Sequence, residues 1–255
     1  MADPSIWPLV AGGGLLLIFL GELTKLRWGI AIGALALLGA AIAWNWPVEA
    51  PMTEEEEDAF EQEHGVPVNA GGSVVVAAWG MGLGVLFLGI AFASLVLAYF
   101  YLRLENPAWP PPGLAEPGVA RALAAAALVV ASGSAARFGL RRLASGDRPG
   151  LVLGLVGALG AGGTAIAVQV ADLVHLDIGW TTHAYGSIFS TLSGFVVLVT
   201  GGALIMTAMV LYWSLRGLYT ARRHAALSNV ATFWTATQVI WVVGFATLYL
   251  GPALT

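Results

Sequence analysis

Seven long apolar stretches constrain the fold of this 255-residue chain more than any other feature. A transmembrane helix needs about 20 mostly apolar residues, because no backbone hydrogen-bonding group can stay unpaired in hydrocarbon. The stretches that approach or exceed this length run approximately from Ile6 to Leu20, Trp28 to Trp46, Ser73 to Leu102, Val119 to Ala136, Gly150 to Val170, Ala184 to Leu215 and Val230 to Leu250. The sequence therefore predicts an all-α integral membrane bundle of seven transmembrane helices.

The composition supports a membrane protein and excludes several other classes. Hydrophobic residues make up 58% of the chain and charged residues 10%, whereas an average soluble domain has roughly 45–50% and about 25%. Acidic residues outnumber basic ones by fifteen to eleven, so the chain lacks the basic surface of a nucleic-acid-binding protein. The chain has no cysteine, which excludes disulfides, thiolate metal sites and iron–sulfur clusters.

The distribution of basic residues predicts the orientation in the membrane. Met1 to Leu20 contain only one charged residue, Asp3, and no positive n-region of a cleavable signal, so we expect the first stretch to be retained. Seven of the eleven basic residues fall on one side of the predicted spans, in the fourth-to-fifth and sixth-to-seventh connections. They are Arg137, Arg141, Arg142, Arg148, Arg216, Arg222 and Arg223. Because cytoplasmic loops are enriched in Lys and Arg, we predict that the N-terminus lies inside.

A long acidic segment divides the chain into three predicted regions. Residues 1–46 hold the first two transmembrane helices, residues 47–72 form an acidic connecting loop, and residues 73–255 form a five-helix bundle. The loop contains the uninterrupted acidic run Glu54 to Asp58. Since like charges repel one another, this pattern is typical of a solvated, partly helical connector. A docking surface for a basic partner is the alternative interpretation.

The predicted spans contain no Asp, Glu, Lys, Arg or His away from their ends. Proton relays and ion sites inside a bilayer depend on such residues, so this pattern indicates a chain that has no catalytic centre and no cofactor or metal of its own. The histidines are His64, His175, His183 and His224, all in loops or near span ends. A metal site formed by His175, Asp177 and His183 is an alternative interpretation of the fifth-to-sixth connection.

Small residues at intervals of four form a ridge along the fifth span. The ridge consists of Gly150, Gly154, Ala158 and Gly162. Residues four apart share one face of a helix, and small residues there let two helix backbones approach closely. The ridge therefore predicts a close helix contact, either within the bundle or with another subunit.

Several strings resemble subunit III of haem-copper terminal oxidases. The segment from Ala98 to Arg103, followed by Asn106 to Gly113, is similar to the exit of that family's third span. The further matches are Pro4 to Leu9, Gly80-Met81, Ser132-Gly133, Arg137, Gly146-Asp147, Gln169 with Asp172, Ala184 to Phe189, Gly194-Phe195, Arg216, His224, Phe233-Trp234 and Trp241. The resemblance extends over roughly residues 73–250 and fits the family's full-length seven-span form.

The chain departs from the family's pattern at its ionisable positions. The family's Ser-Glu pair in the third span falls on Phe87 and Leu88, and its His-x-x-His falls on Val196 and Val199. Its Trp-His-x-x-Asp in the last span falls on Trp234, Thr235 and Gln238. The replacements leave the expected fold intact and argue against a proton-antenna role for this chain.

The resemblance implies a non-catalytic subunit of a complex that reduces O₂ to water and pumps protons in a bacterial plasma membrane. Haem and copper are then expected in the catalytic subunits, and the expected partners are oxidase subunits I and II and phospholipid. The candidate residues for helix packing, subunit contact or lipid contact are Gly150, Gly154, Gly162, Trp109, Arg137, Arg216 and His224. The alternatives are the equivalent subunit of a quinol oxidase or nitric oxide reductase, and a standalone multi-pass transporter.

Overall fold

The computed structural model describes residues 5–44, 52, 54–65, 73–114, 118–176, 181–220 and 224–253. The helices are α1 (Trp7–Leu23), α2 (Arg27–Trp44), α3 (Glu54–His64), α4 (Ser73–Glu105), α5 (Val119–Ala144), α6 (Arg148–Leu176), α7 (Ala184–Leu215) and α8 (Ala225–Phe245). A π-helical turn (Ala246–Leu250) and a 3₁₀ turn (Gly251–Ala253) continue α8. Of the residues singled out from the sequence, Asp3, Trp46, Asp177, Arg222, Arg223 and much of the acidic loop lie outside the described residues.

The all-α prediction is confirmed, and five helices are long and apolar enough to cross a membrane. They are Ala77–Glu105, Val119–Ala144, Arg148–Leu176, Ala184–Leu215 and Ala225–Leu250. The first two apolar helices are shorter, Trp7–Gly21 and Arg27–Ala43 by the same criterion. The structure thus supports a membrane bundle with five clear spans, while the total of seven and the orientation stay predictions.

The chain separates into two compact units, Met1–Glu56 and Glu57–Thr255. In the first unit α1 and α2 form an antiparallel hairpin held by close backbone contact. A Cβ atom on Gly33 would lie 2.5 Å from the carbonyl oxygen of Gly14, and one on Gly21 would lie 2.8 Å from the nitrogen of Ile30. Only glycine permits this approach at these positions.

In the second unit, α8 packs against α4, α5 and α7, and α6 packs between α5 and α7. Consecutive helices from α4 to α8 alternate in direction. We call one end of this bundle the basic end, where α5 and α7 finish and α6 and α8 begin, near Arg142, Arg148 and Arg216. The opposite end is the aromatic end, near Trp109 and Tyr185. The largest fully buried side chains include Trp234, Tyr99, Tyr185, Phe189, Leu192 and Val129.

Two helix ends differ from the sequence-based boundaries. The fourth stretch was expected to finish at Ala136, but α5 continues to Ala144 and carries Arg137 well inside the helix. The fifth stretch was expected to finish at Val170, but α6 continues to Leu176 and buries Asp172. The prediction that the spans contain no ionisable residues away from their ends is therefore wrong for Arg137. The hydropathy pattern ended both predicted helices just before a charged residue, Arg137 or Asp172. The two helices continue past these residues because neighbouring helices supply polar partners for them.

Candidate functional site

The glycine ridge of α6 faces α5 at very short distance. A Cβ atom on Gly154 would lie 2.6 Å from both the nitrogen and the Cα of Gly139 and 2.7 Å from the carbonyl oxygen of Ala135. One on Gly162 would meet the Trp234 ring at 2.8 Å. Such distances leave no room for a side chain, so the two backbones are in direct contact. The structure thus places the ridge inside the bundle.

The other two ridge positions, Ala158 and Gly150, add polar bonds to this contact. The Oγ of Ser132 donates a hydrogen bond of 2.5 Å to the carbonyl oxygen of Ala158. At the basic end, Gly150 donates its N–H to Asp147 at 2.9 Å, and Asp147 also forms an ion pair with Arg142 at 2.5 Å. The contact between α5 and α6 therefore combines backbone packing with polar bonds.

Two buried tryptophans connect α8 to α7 through threonine hydroxyls. Trp234 Nε1 donates to Thr207 Oγ1 at 2.9 Å, and Trp241 Nε1 donates to Thr200 Oγ1 at 2.8 Å. Each threonine also donates to a carbonyl oxygen one turn earlier in α7. Every polar atom in these two pairs has a partner, which is the condition for burying an indole N–H at low cost.

Arg137 bridges α5 and α8. Its Nη1 donates to Thr235 Oγ1 and its Nη2 to Gln238 Oε1, both at 2.7 Å. The Gln238 amide donates in turn to the carbonyl oxygen of Val130 at 2.8 Å. A Cβ atom on Gly133 would lie 2.5 Å from Gln238 Nε2, so this glycine makes room for the amide. Thr235 and Gln238 are the positions on which the resemblance described above places a histidine and an acid.

A second polar cluster lies at the aromatic end around Asp172, which is 2% exposed. Asp172 forms an ion pair with Arg121 at 3.3 Å and accepts a hydrogen bond from the Tyr249 hydroxyl at 3.4 Å. Gln169 donates to the same hydroxyl at 3.4 Å. The structure buries Asp172, because Tyr249 from the last turn of the span covers it.

A small cavity adjoins this cluster between α6, α7 and α8. Its volume is about 10 Å³, and its lining includes Gln169, Ser193 and Trp241. Within the described residues, Gln169 Oε1 and Ser193 Oγ are buried without a hydrogen-bond partner. One water molecule needs about this much space and two or more polar partners. At this volume the cavity has room for no more than about one water molecule.

Trp109 lies in the loop after α4 and closes the aromatic end. Its Nε1 donates to the Tyr99 hydroxyl at 3.1 Å, and its ring meets Tyr185 edge to face with centroids 5.1 Å apart. Arg103 donates to the carbonyl oxygen of Gly251 at 2.5 Å, which fixes the C-terminal turn against α4. In this structure Trp109 packs within the chain.

Arg216 and His224 flank the connection between α7 and α8 at the basic end. Arg216 donates to the Tyr212 hydroxyl at 2.8 Å, and its guanidinium lies 5.1 Å from the centre of that ring. The carbonyl oxygen of His224 accepts from Ser228 in the first turn of α8.

Of the three residues of the alternative metal site, Asp177 lies outside the described residues and only the two histidines can be placed. Nδ1 of His183 accepts from the Gly186 N–H at 2.8 Å and caps α7. His175 Nδ1 lies 2.6 Å from the carbonyl oxygen of Ala171 in its own helix. Among the described residues no three His, Cys, Asp or Glu side chains come together as metal ligands. The two imidazoles therefore serve their own helices.

The family model described as cytochrome c oxidase subunit III matches residues 1–252. The chain belongs to the cytochrome c oxidase subunit III family. A relative named cytochrome c oxidase subunit 3, from Synechocystis sp., is 31% identical over 62% of this chain and 69% of its own length. A probable cytochrome c oxidase subunit 3 from Nocardia farcinica is 30% identical over 62% and 79%. One from Allomyces macrogynus is 22% identical over 98% and 91%.

Membership in the cytochrome c oxidase subunit III family confirms the resemblance found in the sequence. The chain is subunit III of a haem-copper oxidase and a multi-pass protein of the bacterial plasma membrane. The matches do not favour a standalone transporter or the equivalent subunit of a quinol oxidase or nitric oxide reductase.

Sequence reasoning missed two side-chain groupings, the Arg137 bridge and the Asp172 cluster. The sequence could have predicted that Asp172 and Gln169 lie together, because residues three apart share a helix face. The partner of that face, Tyr249, is 77 residues away from Asp172, and no local pattern connects them.

Proposed function

We propose that this subunit III is a non-catalytic component that supports the catalytic subunit of its complex. The complex reduces O₂ to water and pumps protons, with haem and copper in its partner subunits I and II. The observation that carries this proposal is the filling of the bundle interior. Val196 and Val199 are 4% and 3% exposed. Gln238 accepts a hydrogen bond from Arg137 and donates one to Val130. The buried Trp234 ring lies against Gly162 of α6 and donates to Thr207 of α7. A haem needs an axial ligand and an open pocket, and this interior is occupied by packed side chains.

The proposed topology has seven spans with the N-terminus inside. In this arrangement residues 1–46 form two spans, residues 47–72 connect them to the bundle, and residues 73–255 contribute five. Two observations support it: α1 and α2 form an apolar hairpin, and Arg141, Arg142 and Arg148 all lie at the basic end of the bundle. Cytoplasmic loops are enriched in arginine, which supports a cytoplasmic position for the basic end.

Phospholipid and the other oxidase subunits cover the outer surface in this proposal. Few residues in the membrane-spanning part of α4 are buried within the chain, and this part exposes large apolar side chains such as Leu86, Phe87 and Leu97. A continuous apolar face of this size marks contact with lipid or with another protein.

At the acidic segment, the helix α3 presents Glu55 and Asp58 for a basic partner.

Purification of the complex in a mild detergent tests this function. We expect the chain to co-purify with subunits that give a haem signal in a reduced-minus-oxidised spectrum. After separation from them, the chain should show no visible absorption and no stoichiometric metal. A haem spectrum from the separated chain would contradict the non-catalytic role, and purification of the chain alone from intact membranes would contradict the supporting role.

A further inference from the structure

The guanidinium of Arg137 carries a positive charge about two turns before the end of α5. At a rise of 1.5 Å per residue, Arg137 lies about 10 Å from the last residue of α5, and its acceptors Thr235 and Gln238 lie about 15 and 20 Å from the first residue of α8. The hydrocarbon core of a bilayer is about 30 Å thick. Arg137 therefore lies within the stretch of α5 that is long and apolar enough to cross a membrane.

The side chain points towards the membrane centre. Side chains in a helix lean towards its N-terminus, which in α5 is the aromatic end, so Arg137 leans away from the nearer basic end. Its acceptor Gln238 is bonded to Val130, two turns deeper in α5. When only the lipid headgroups can solvate an arginine in a membrane, its side chain extends towards the nearer interface. Here the hydrogen bonds hold it in the opposite direction.

The chain provides hydrogen-bond acceptors for this guanidinium but no counter-charge among the described residues. Both acceptors are neutral. The carboxylates of Asp147 and Asp172 are paired with Arg142 and Arg121 near the two ends of the bundle. A neutral acceptor satisfies an N–H group without cancelling the charge, and an uncompensated charge in a low-dielectric region is costly.

The face that carries Arg137 is open. Arg137 itself is half-buried, Thr235 and Ser134 are exposed, and Val239, one turn from Thr235, is 59% exposed. A transmembrane helix that packs on this face would place its side chains beside Arg137. The occupant that supplies both apolar contact and negative charge here is a helix with an intramembrane carboxylate.

We infer that the face of α5 and α8 around Arg137 is the docking surface for a transmembrane helix of another oxidase subunit, whose Asp or Glu pairs with Arg137. This inference rests on the proposed packing of the chain beside the catalytic subunit. The carboxylate of the partner helix neutralises the charge of the Arg137 guanidinium, while Thr235 and Gln238 fix the direction of the Arg137 side chain.

Subunit retention gives the first test. The Arg137→Gln variant is purified as the complex, and the amount of this chain per haem is compared with that of Arg141→Gln. Arg141 is the matched control, because it is exposed, lies one turn further along α5 and carries the same charge at the basic end. Loss of one partner from a buried charge pair weakens binding about tenfold or more. We expect that loss for Arg137→Gln and normal retention for Arg141→Gln, and equal retention of the two would overturn the inference.

Cross-linking gives a second test that leaves the Arg137 bridge intact. The chain has no cysteine, so a photoreactive maleimide on the Val239→Cys variant reports only the neighbours of this face. We expect a cross-link to a transmembrane peptide of another subunit that contains an Asp or Glu. Neutralising that acid together with Arg137→Gln should restore retention relative to Arg137→Gln alone. Labelling of lipid only, in a complex that contains this chain, refutes the docking surface and leaves the proposed function standing.

Discussion

The contact between α5 and α6 makes a sharp prediction about the substitution Gly154→Ala. The new methyl group would lie 2.6 Å from backbone atoms of Gly139 and 2.7 Å from the carbonyl oxygen of Ala135. Backbone atoms inside a helix cannot rotate away, so the helices must separate by about 1 Å to reach normal carbon contact distances. Overpacking of this kind costs about 1–3 kcal/mol.

Gly160→Ala is the matched control, because it makes the same substitution in the same helix. A Cβ atom there meets nothing within 4 Å, and alanine is favoured over glycine in a helix by about 1 kcal/mol. We expect Gly154→Ala to lower the midpoint of thermal unfolding by about 3–10 °C. Gly160→Ala should leave it unchanged or raise it.

A thermal stability assay by size-exclusion chromatography in mild detergent measures the two midpoints. It suits this chain because dye-labelling assays that depend on cysteine do not apply. If Gly154→Ala and Gly160→Ala have the same midpoint, the close backbone contact between α5 and α6 does not limit stability, and the reasoning from the glycine ridge fails.

Three further predictions concern the threonine pairs, the orientation and the buried acid. Thr207→Val leaves the buried Trp234 N–H without its acceptor and should cost about 1–3 kcal/mol in thermal unfolding, whereas Thr191→Val, at an exposed position of the same helix, should change little. Ser145→Cys should resist an impermeant thiol reagent in intact cells and react in inverted vesicles; reaction in intact cells would reverse the orientation. In the assembled oxidase, Asp172→Asn should keep turnover and the number of protons pumped per electron near normal, because Asp172 lies at one end of the bundle. The substitution should lower only the stability. A pumping defect would show that Asp172 belongs to the proton route.

The local sequence was sufficient for the fold class and the main packing element. Long apolar stretches predict membrane helices because each helix satisfies its own backbone hydrogen bonds, whatever its neighbours are. The four-residue spacing of Gly150, Gly154, Ala158 and Gly162 also predicts a close contact from one helix alone, because this spacing makes a single face. The family resemblance could be recognised for the same reason, since its strings are local.

The tertiary structure decided where the polar side chains lie. Arg137 marks the end of an apolar stretch in the sequence, yet in the structure it lies inside α5 because Thr235 and Gln238 of α8 accept its hydrogen bonds. Asp172 reads as a loop residue, yet Arg121 and Tyr249 bury it. Hydropathy is a property of one segment, whereas the cost of a buried polar group depends on which neighbouring helix faces it at the same depth. That pairing exists only after the helices have packed.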